Sequence, residues 1–133
     1  MLSKRVLLGT AFAGFVVFSM AAADVDITKL PPASTKKDLT YAKDIKPLFE
    51  KNCFKCHGSE KQKGKLRLDT LEAVKKGGED GEVILAGKSE KSPLVHAIAA
   101  LDPDMTMPPE GKGDPLTKEQ VGLVRAWIDQ GAK

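Results

Sequence analysis

Two cysteines and a histidine packed into five residues constrain this chain more than any other feature. Cys53-Phe54-Lys55-Cys56-His57 contains both cysteines of the sequence and one of its two histidines. The C-x-x-C-H spacing lets two thiols join the vinyl groups of one haem while the histidine ligates its iron. Two intervening residues let a single turn of chain present both sulfurs to one porphyrin edge, and the next residue then falls under the metal, where neutral imidazole is a good ligand. Three other chemistries compete for the motif. A structural zinc needs a second Cys or His pair, and the only other histidine is the solitary His96. A thioredoxin-like redox pair belongs in a strand-helix-strand pattern that this sequence does not show. The third is a structural disulfide between the two cysteines, or a chance match to the spacing.

The 133 residues leave room for one domain with a small core. Aromatic residues make up only 5% of the chain, so a bulky apolar cofactor at the centre would add buried area that the side chains do not supply. Residues 1–23 read as a cleaved export signal: Lys4 and Arg5 precede an apolar run from Val6 to Met20, and Ala21-Ala22-Ala23 before Asp24 fits a cleavage site. The alternative is a retained inner-membrane anchor facing the periplasm, because Leu2 to Ala23 is just long enough to span a bilayer. No cysteine stands directly after the apolar run, which argues against a lipid-modified amino terminus. The net charge of +3 falls by the two cations Lys4 and Arg5 to +1 in the cleaved chain, too balanced to favour nucleic acid or anionic lipid as a partner. Residues 24–40, with Pro31-Pro32 and Lys36-Lys37, carry few apolar anchors and read as a flexible linker.

Short helices fill the rest. The first is expected to begin at Asp44 as cap, with Pro47 in its first turn and Ile45, Leu48 and Phe49 on its buried face. It delivers the chain to the cysteines. After a polar loop, Leu66 and Leu68 are candidates to pack on a haem, with Arg67 or Lys65 reaching a propionate; the alternative is ordinary core with solvated cations. Asp69 and Glu72 read as the cap of a second helix ended by Gly77-Gly78. Ser92 and Pro93 open a third, whose buried side is Leu94, Val95, Ala97, Ile98 and Leu101. His96 lies among these residues as an outside candidate for a second iron ligand. Thr117 and Gln120 form a capping box for a last helix in which Val121, Val124, Trp127 and Ile128 recur at helical spacing until Gly131. Gly122 inside that helix implies that another helix crosses closely there, the natural partner being the one before the cysteines. Trp127 reads as a packing residue, with a place on an electron pathway as the lesser alternative.

Between the last two helices, Asp102-Pro103-Asp104-Met105-Thr106-Met107-Pro108-Pro109 cannot be regular structure. Three prolines make it a stiff loop. Stiffness suits an axial ligand, because a thioether binds iron weakly and a loop with few conformations loses little entropy in holding it. Met107, next to the prolines, is the expected distal ligand and Met105 the fallback, against the bland reading of both as flexible apolar filler.

Taken together, Ile45-Lys46-Pro47-Leu48, the C-x-x-C-H-Gly58 run, Leu66-Arg67-Leu68-Asp69-Thr70, Gly87 to Leu94, Met107-Pro108-Pro109 and Trp127 to Ala132 resemble the planctomycete-type cytochrome c domain over most of residues 41–132. The resemblance implies an all-α, class I cytochrome c-like domain over residues 41–133, of about four short helices around one haem c, with the first and last helices packed together. It implies Cys53 and Cys56 as thioether sites, His57 as proximal and Met107 as distal ligand. The function expected is a periplasmic mono-haem electron carrier cycling between Fe(II) and Fe(III), not an enzyme, acting as a monomer on redox partner proteins and, once cleaved, off the membrane. Two alternatives stand beside it. One is a peroxidase-like haem enzyme or gas sensor with a displaceable distal ligand, which lacks a second distal histidine or acid in the sequence. The other is an anchored cytochrome subunit of a larger oxidoreductase.

Overall fold

The computed structural model describes residues 24–133, so the expected export signal lies outside the described residues. Four α-helices appear in chain order: α1, Lys46–Asn52; α2, Leu71–Lys76; α3, Pro93–Ile98; and α4, Lys118–Asp129. Among the described residues the only β-pairing is two isolated bridges, His57 with Gln62 and Gly78 with Gly81. The architecture is the small all-α one that the sequence implies.

The chain enters α1 through a wider, π-type turn over Tyr41–Ile45. Its cap is Thr40, whose side chain accepts the Lys43 N–H, while the Asp44 carboxylate reaches back to accept the Thr40 N–H at 2.9 Å. The expected cap Asp44 is thus the reciprocal partner, one turn inside. Pro47 explains the wide turn: it has no N–H to give, and its ring crowds the carbonyl four residues back, which the looser spacing relieves. A similar correction applies at α2. Thr70, not Asp69, caps it, accepting the Ala73 N–H at 3.1 Å, because Asp69 is engaged by Arg67 through bonds of 2.9 and 2.6 Å. At α3, Pro93 takes the first turn as expected, but Ser92 makes no cap bond. Its buried hydroxyl accepts the Leu85 N–H and donates to the Lys88 carbonyl, both at 2.9 Å. The Thr117–Gln120 capping box of α4 is present in full.

The core joins the two ends of the domain. Ile45, Phe49, Val74, Val95, Val124, Trp127 and Ile128 are fully buried. Tyr41 lies between Phe49, 6.4 Å away edge to face, and Trp127, 6.1 Å away and tilted; such aromatic pairs add ~0.5–1.5 kcal/mol each beyond burial. Its N–H donates to the Lys133 carbonyl at 2.7 Å, which also accepts the Trp127 indole N–H at 2.9 Å. The Tyr41 hydroxyl donates to the Leu68 carbonyl at 2.6 Å.

The linker expected over residues 24–40 is extended, but it is docked on α4. The Ser34 N–H donates to the Gly122 carbonyl at 2.9 Å, Arg125 donates to the Pro31 carbonyl, and Gln130 bonds both Lys36 and the buried Leu39. Gly122 is where this strap crosses: a Cβ there would stand 2.5 Å from the Pro32 carbonyl oxygen. The close crossing that glycine signals is made by the strap, not by a helix.

Two measurements test this packing. Alanine at 122 would ordinarily gain ~1 kcal/mol of helix propensity, yet Gly122→Ala is expected to lower the melting temperature, because the methyl displaces backbone and overpacking costs ~1–3 kcal/mol; a raised melting point would mean the strap does not dock. Burial, aided by the Asp69 charge, pushes the Tyr41 phenol up to about 12. A neutral acid whose folded value is raised stabilises fully below its unfolded value near ~10 and loses that contribution as pH rises through about 12. Tyr41 is the sole tyrosine, so phenolate absorbance should show no step at the ordinary tyrosine range while the protein is folded. Tyr41→Phe should destabilise by ~1–3 kcal/mol, the penalty for an unpaired buried carbonyl.

Candidate haem site

One face of the domain opens into a cavity of about 350 Å³, within the ~300–1,000 Å³ usual for sites that take a cofactor-sized ligand. Its floor is the motif turn, in which the Cys56 and His57 N–H groups both donate to the Cys53 carbonyl, at 3.1 and 2.9 Å. That tight turn puts Cys53, Cys56 and His57 on the cavity together. The two cysteines are not joined to each other, and burial pushes the Cys53 thiol up to about 12.

The chain next supplies the wall that orients His57. Leu66 and Leu68 line the cavity as expected. The Leu66 carbonyl stands 3.3 Å from His57 Nδ1, and the Leu68 N–H donates to the His57 carbonyl at 2.8 Å. With the proton of the imidazole held on Nδ1 by that carbonyl, Nε2 keeps its lone pair for a metal. The cations expected near a propionate are not here: Arg67 is paired with Asp69, whose carboxyl its hydrogen bonds hold below the usual range, and neither Arg67 nor Lys65 lines the cavity. Lys55, Lys63 and Lys112 do.

A further part of the wall was not anticipated. The turn Gly77 to Val83 brings Glu79, Asp80, Glu82 and Val83 to the rim. It lies against the segment that holds His57, with the Glu79 N–H donating to the Gly64 carbonyl at 2.8 Å. Gly78 permits the approach, since a Cβ there would stand 2.7 Å from the Gly64 oxygen. The glycines at 77, 78 and 81 around three acids were the available signal, read in the sequence only as the end of a helix.

The rest of the wall is α3 and the proline loop, joined by the Met107 N–H donating to the Ala97 carbonyl at 3.0 Å; α3 also meets the acidic turn, its Leu94 N–H donating to the Val83 carbonyl at 2.8 Å. Pro93, Leu94, Ala97 and Ile98 contribute from α3, and Met105, Met107, Pro108, Pro109 and Lys112 from the loop. The loop includes one short 3-10 turn, Pro103–Met105, capped by Asp102. Met105 is 58% exposed and Met107 36%, so the less exposed thioether is the one anchored to α3. His96 is turned away from the cavity, with Nε2 2.7 Å from the Glu90 carbonyl.

The competing chemistries lack partners. Among the described residues no group of three or more His, Cys, Asp or Glu side chains converges to hold a metal ion by itself, and no strand supports a thioredoxin-like arrangement. The site does fit a haem: two thiols at one edge, an imidazole with a free Nε2 beneath, aliphatic and thioether walls, and an open mouth. A small all-α domain of this kind around a covalent haem c is a c-type cytochrome. The profile of the family described as Planctomycete cytochrome C matches residues 53–111, from the first cysteine to just past the Met107-Pro108-Pro109 run, and over that stretch the chain is similar to that family, which supports the resemblance carried by the sequence. Neither the curated proteins nor the solved structures give a match.

Because thioether bonds survive denaturation, acidified organic solvent should leave the haem on protein matured in a host that attaches haem c. The variant Cys53→Ala/Cys56→Ala should release whatever haem it binds, as read by absorbance of the organic phase; haem lost from the wild type would exclude thioether attachment.

Proposed function

We propose that this chain is an exported, periplasmic electron carrier in which His57 and Met107 ligate the iron of its single haem c. The bound haem supplies a one-electron Fe(II)/Fe(III) couple. The residues supply the rest. Cys53 and Cys56 hold it covalently, the Leu66 carbonyl keeps the His57 proton on Nδ1, and the backbone bond from Met107 to Ala97 fixes the stem of the thioether. Apolar side chains exclude water while the open mouth leaves an edge for redox partner proteins.

The composition of the wall formed by α3 and the proline loop carries this reading. It offers aliphatic side chains, thioethers and prolines, with Lys112 as its one ionisable group. A peroxidase-like reaction needs a proton acceptor beside the bound ligand, and the acids of the cavity come from a separate element, the turn Gly77 to Val83 at its rim, which bonds to Gly64 through the Glu79 N–H and to Leu94 of α3 through the Val83 carbonyl. Export rests on the sequence of residues 1–23. No helix among the described residues is long and apolar enough to cross a membrane, and the near-neutral charge supports redox proteins over nucleic acid or lipid as partners.

Met107→Leu should abolish the weak near-infrared absorption of ferric sulfur-ligated haem, whereas Met105→Leu should retain it; the reverse pattern would transfer the ligand role to Met105. Ferrous wild-type protein should bind carbon monoxide slowly and turn over no peroxide. Rapid binding together with peroxide turnover would favour the enzyme.

A further inference from the structure

We propose that Tyr41 is a positioning residue for the proximal ligand, acting through the Leu66–Leu68 segment to set the donation of His57 Nδ1 and thereby the reduction potential. The inference rests on the reading of His57 as an iron ligand. It starts from the length of one bond. The Nδ1 to Leu66 carbonyl distance of 3.3 Å is at the long end for a hydrogen bond, so small displacements of that carbonyl change its strength appreciably. A stronger bond makes the imidazole more electron-rich, which favours ferric iron and lowers the potential; a weaker one raises it.

The position of the Leu66 carbonyl is therefore the variable that matters. The segment carrying it is held at its near end by the Leu66 N–H on the Lys63 carbonyl, 3.2 Å, and at its last residue by the Leu68 N–H on the His57 carbonyl, 2.8 Å. Its far end is held by the Tyr41 hydroxyl on the Leu68 carbonyl, at 2.6 Å the shortest of the three. Tyr41 is itself hard to move. It is 5% exposed, flanked by Phe49 and Trp127, with its N–H bound to Lys133. The tyrosine thus connects the packed core to the histidine through two hydrogen bonds and three residues of backbone, although it does not line the cavity. Without the hydroxyl, the buried Leu68 carbonyl loses its partner and must move or recruit water, and the Leu66 carbonyl moves with it.

Potentiometric titration of Tyr41→Phe holoprotein tests this against Val124→Ala, a buried core change in α4 away from the segment. Tyr41→Phe should shift the midpoint potential upward and speed hydrogen exchange at His57 Nδ1, while Val124→Ala lowers the melting temperature and moves neither. Equal shifts in the two variants, or none in Tyr41→Phe, would reduce Tyr41 to a structural role and overturn the proposal. If Tyr41→Phe does not fold, fluorotyrosine incorporation modifies this position alone, since the chain has one tyrosine. The more acidic phenol should tighten the bond and slow the Nδ1 exchange; unchanged exchange overturns the proposal. The underlying reading fails separately, in the wild type, if its spectra show no histidine on the iron.

Discussion

The contact of Tyr41 with Trp127 is the constraint on which the other elements depend. The α-helices contain 7, 6, 6 and 12 residues, and isolated helices shorter than ~12–15 residues are marginal in water. None of the four stands alone. Each persists because one face is buried against another element, and the aromatic contact is where the entry to α1 meets α4. The Lys133 carbonyl, shared by the Tyr41 N–H and the Trp127 indole, closes the same junction.

From that junction order spreads into segments with no regular structure. The Tyr41 hydroxyl reaches the Leu66–Leu68 segment, which meets His57, and α4 reaches the 85–92 loop through Asp129, whose carboxylate accepts the Ser89 N–H and hydroxyl at 2.8 and 2.9 Å. The cavity is built from such loops. Binding residues on loops held by a compact scaffold are a common arrangement, and here the scaffold supplies rigidity on one side while the cofactor supplies apolar bulk on the other. The family match over residues 53–111 spans the cavity walls, whereas the strap and α4 that brace them lie outside it.

Local signals were legible where one side chain had one available partner. Thr117 and Gln120 cap α4 as their spacing requires, since nothing else competes for either. Asp44 and Asp69 failed as caps for the opposite reason. A threonine caps in place of each, Thr40 one turn before Asp44 and Thr70 next to Asp69, and at the second site the guanidinium of Arg67 takes the carboxylate. The strap differs from its composition for a related cause: its polar, proline-rich sequence is that of a tether, and what docks it is its main chain, which composition does not register.

What the sequence determined by itself is the chemistry: two thiols and an imidazole within five residues, set by covalent spacing and therefore independent of the fold, together with a proline-stiffened methionine loop and a capped amphipathic last helix. Tertiary structure alone decided which groups face that chemistry. It brought the acidic turn beside the His57 segment, turned His96 away, left Met107 less exposed than Met105, and joined Tyr41 to Leu68 across 27 residues and Arg125 to Pro31 across 94. The physical reason is that these bonds end on main-chain carbonyls. Every residue carries one, so no side-chain pattern marks which of them a distant donor will find.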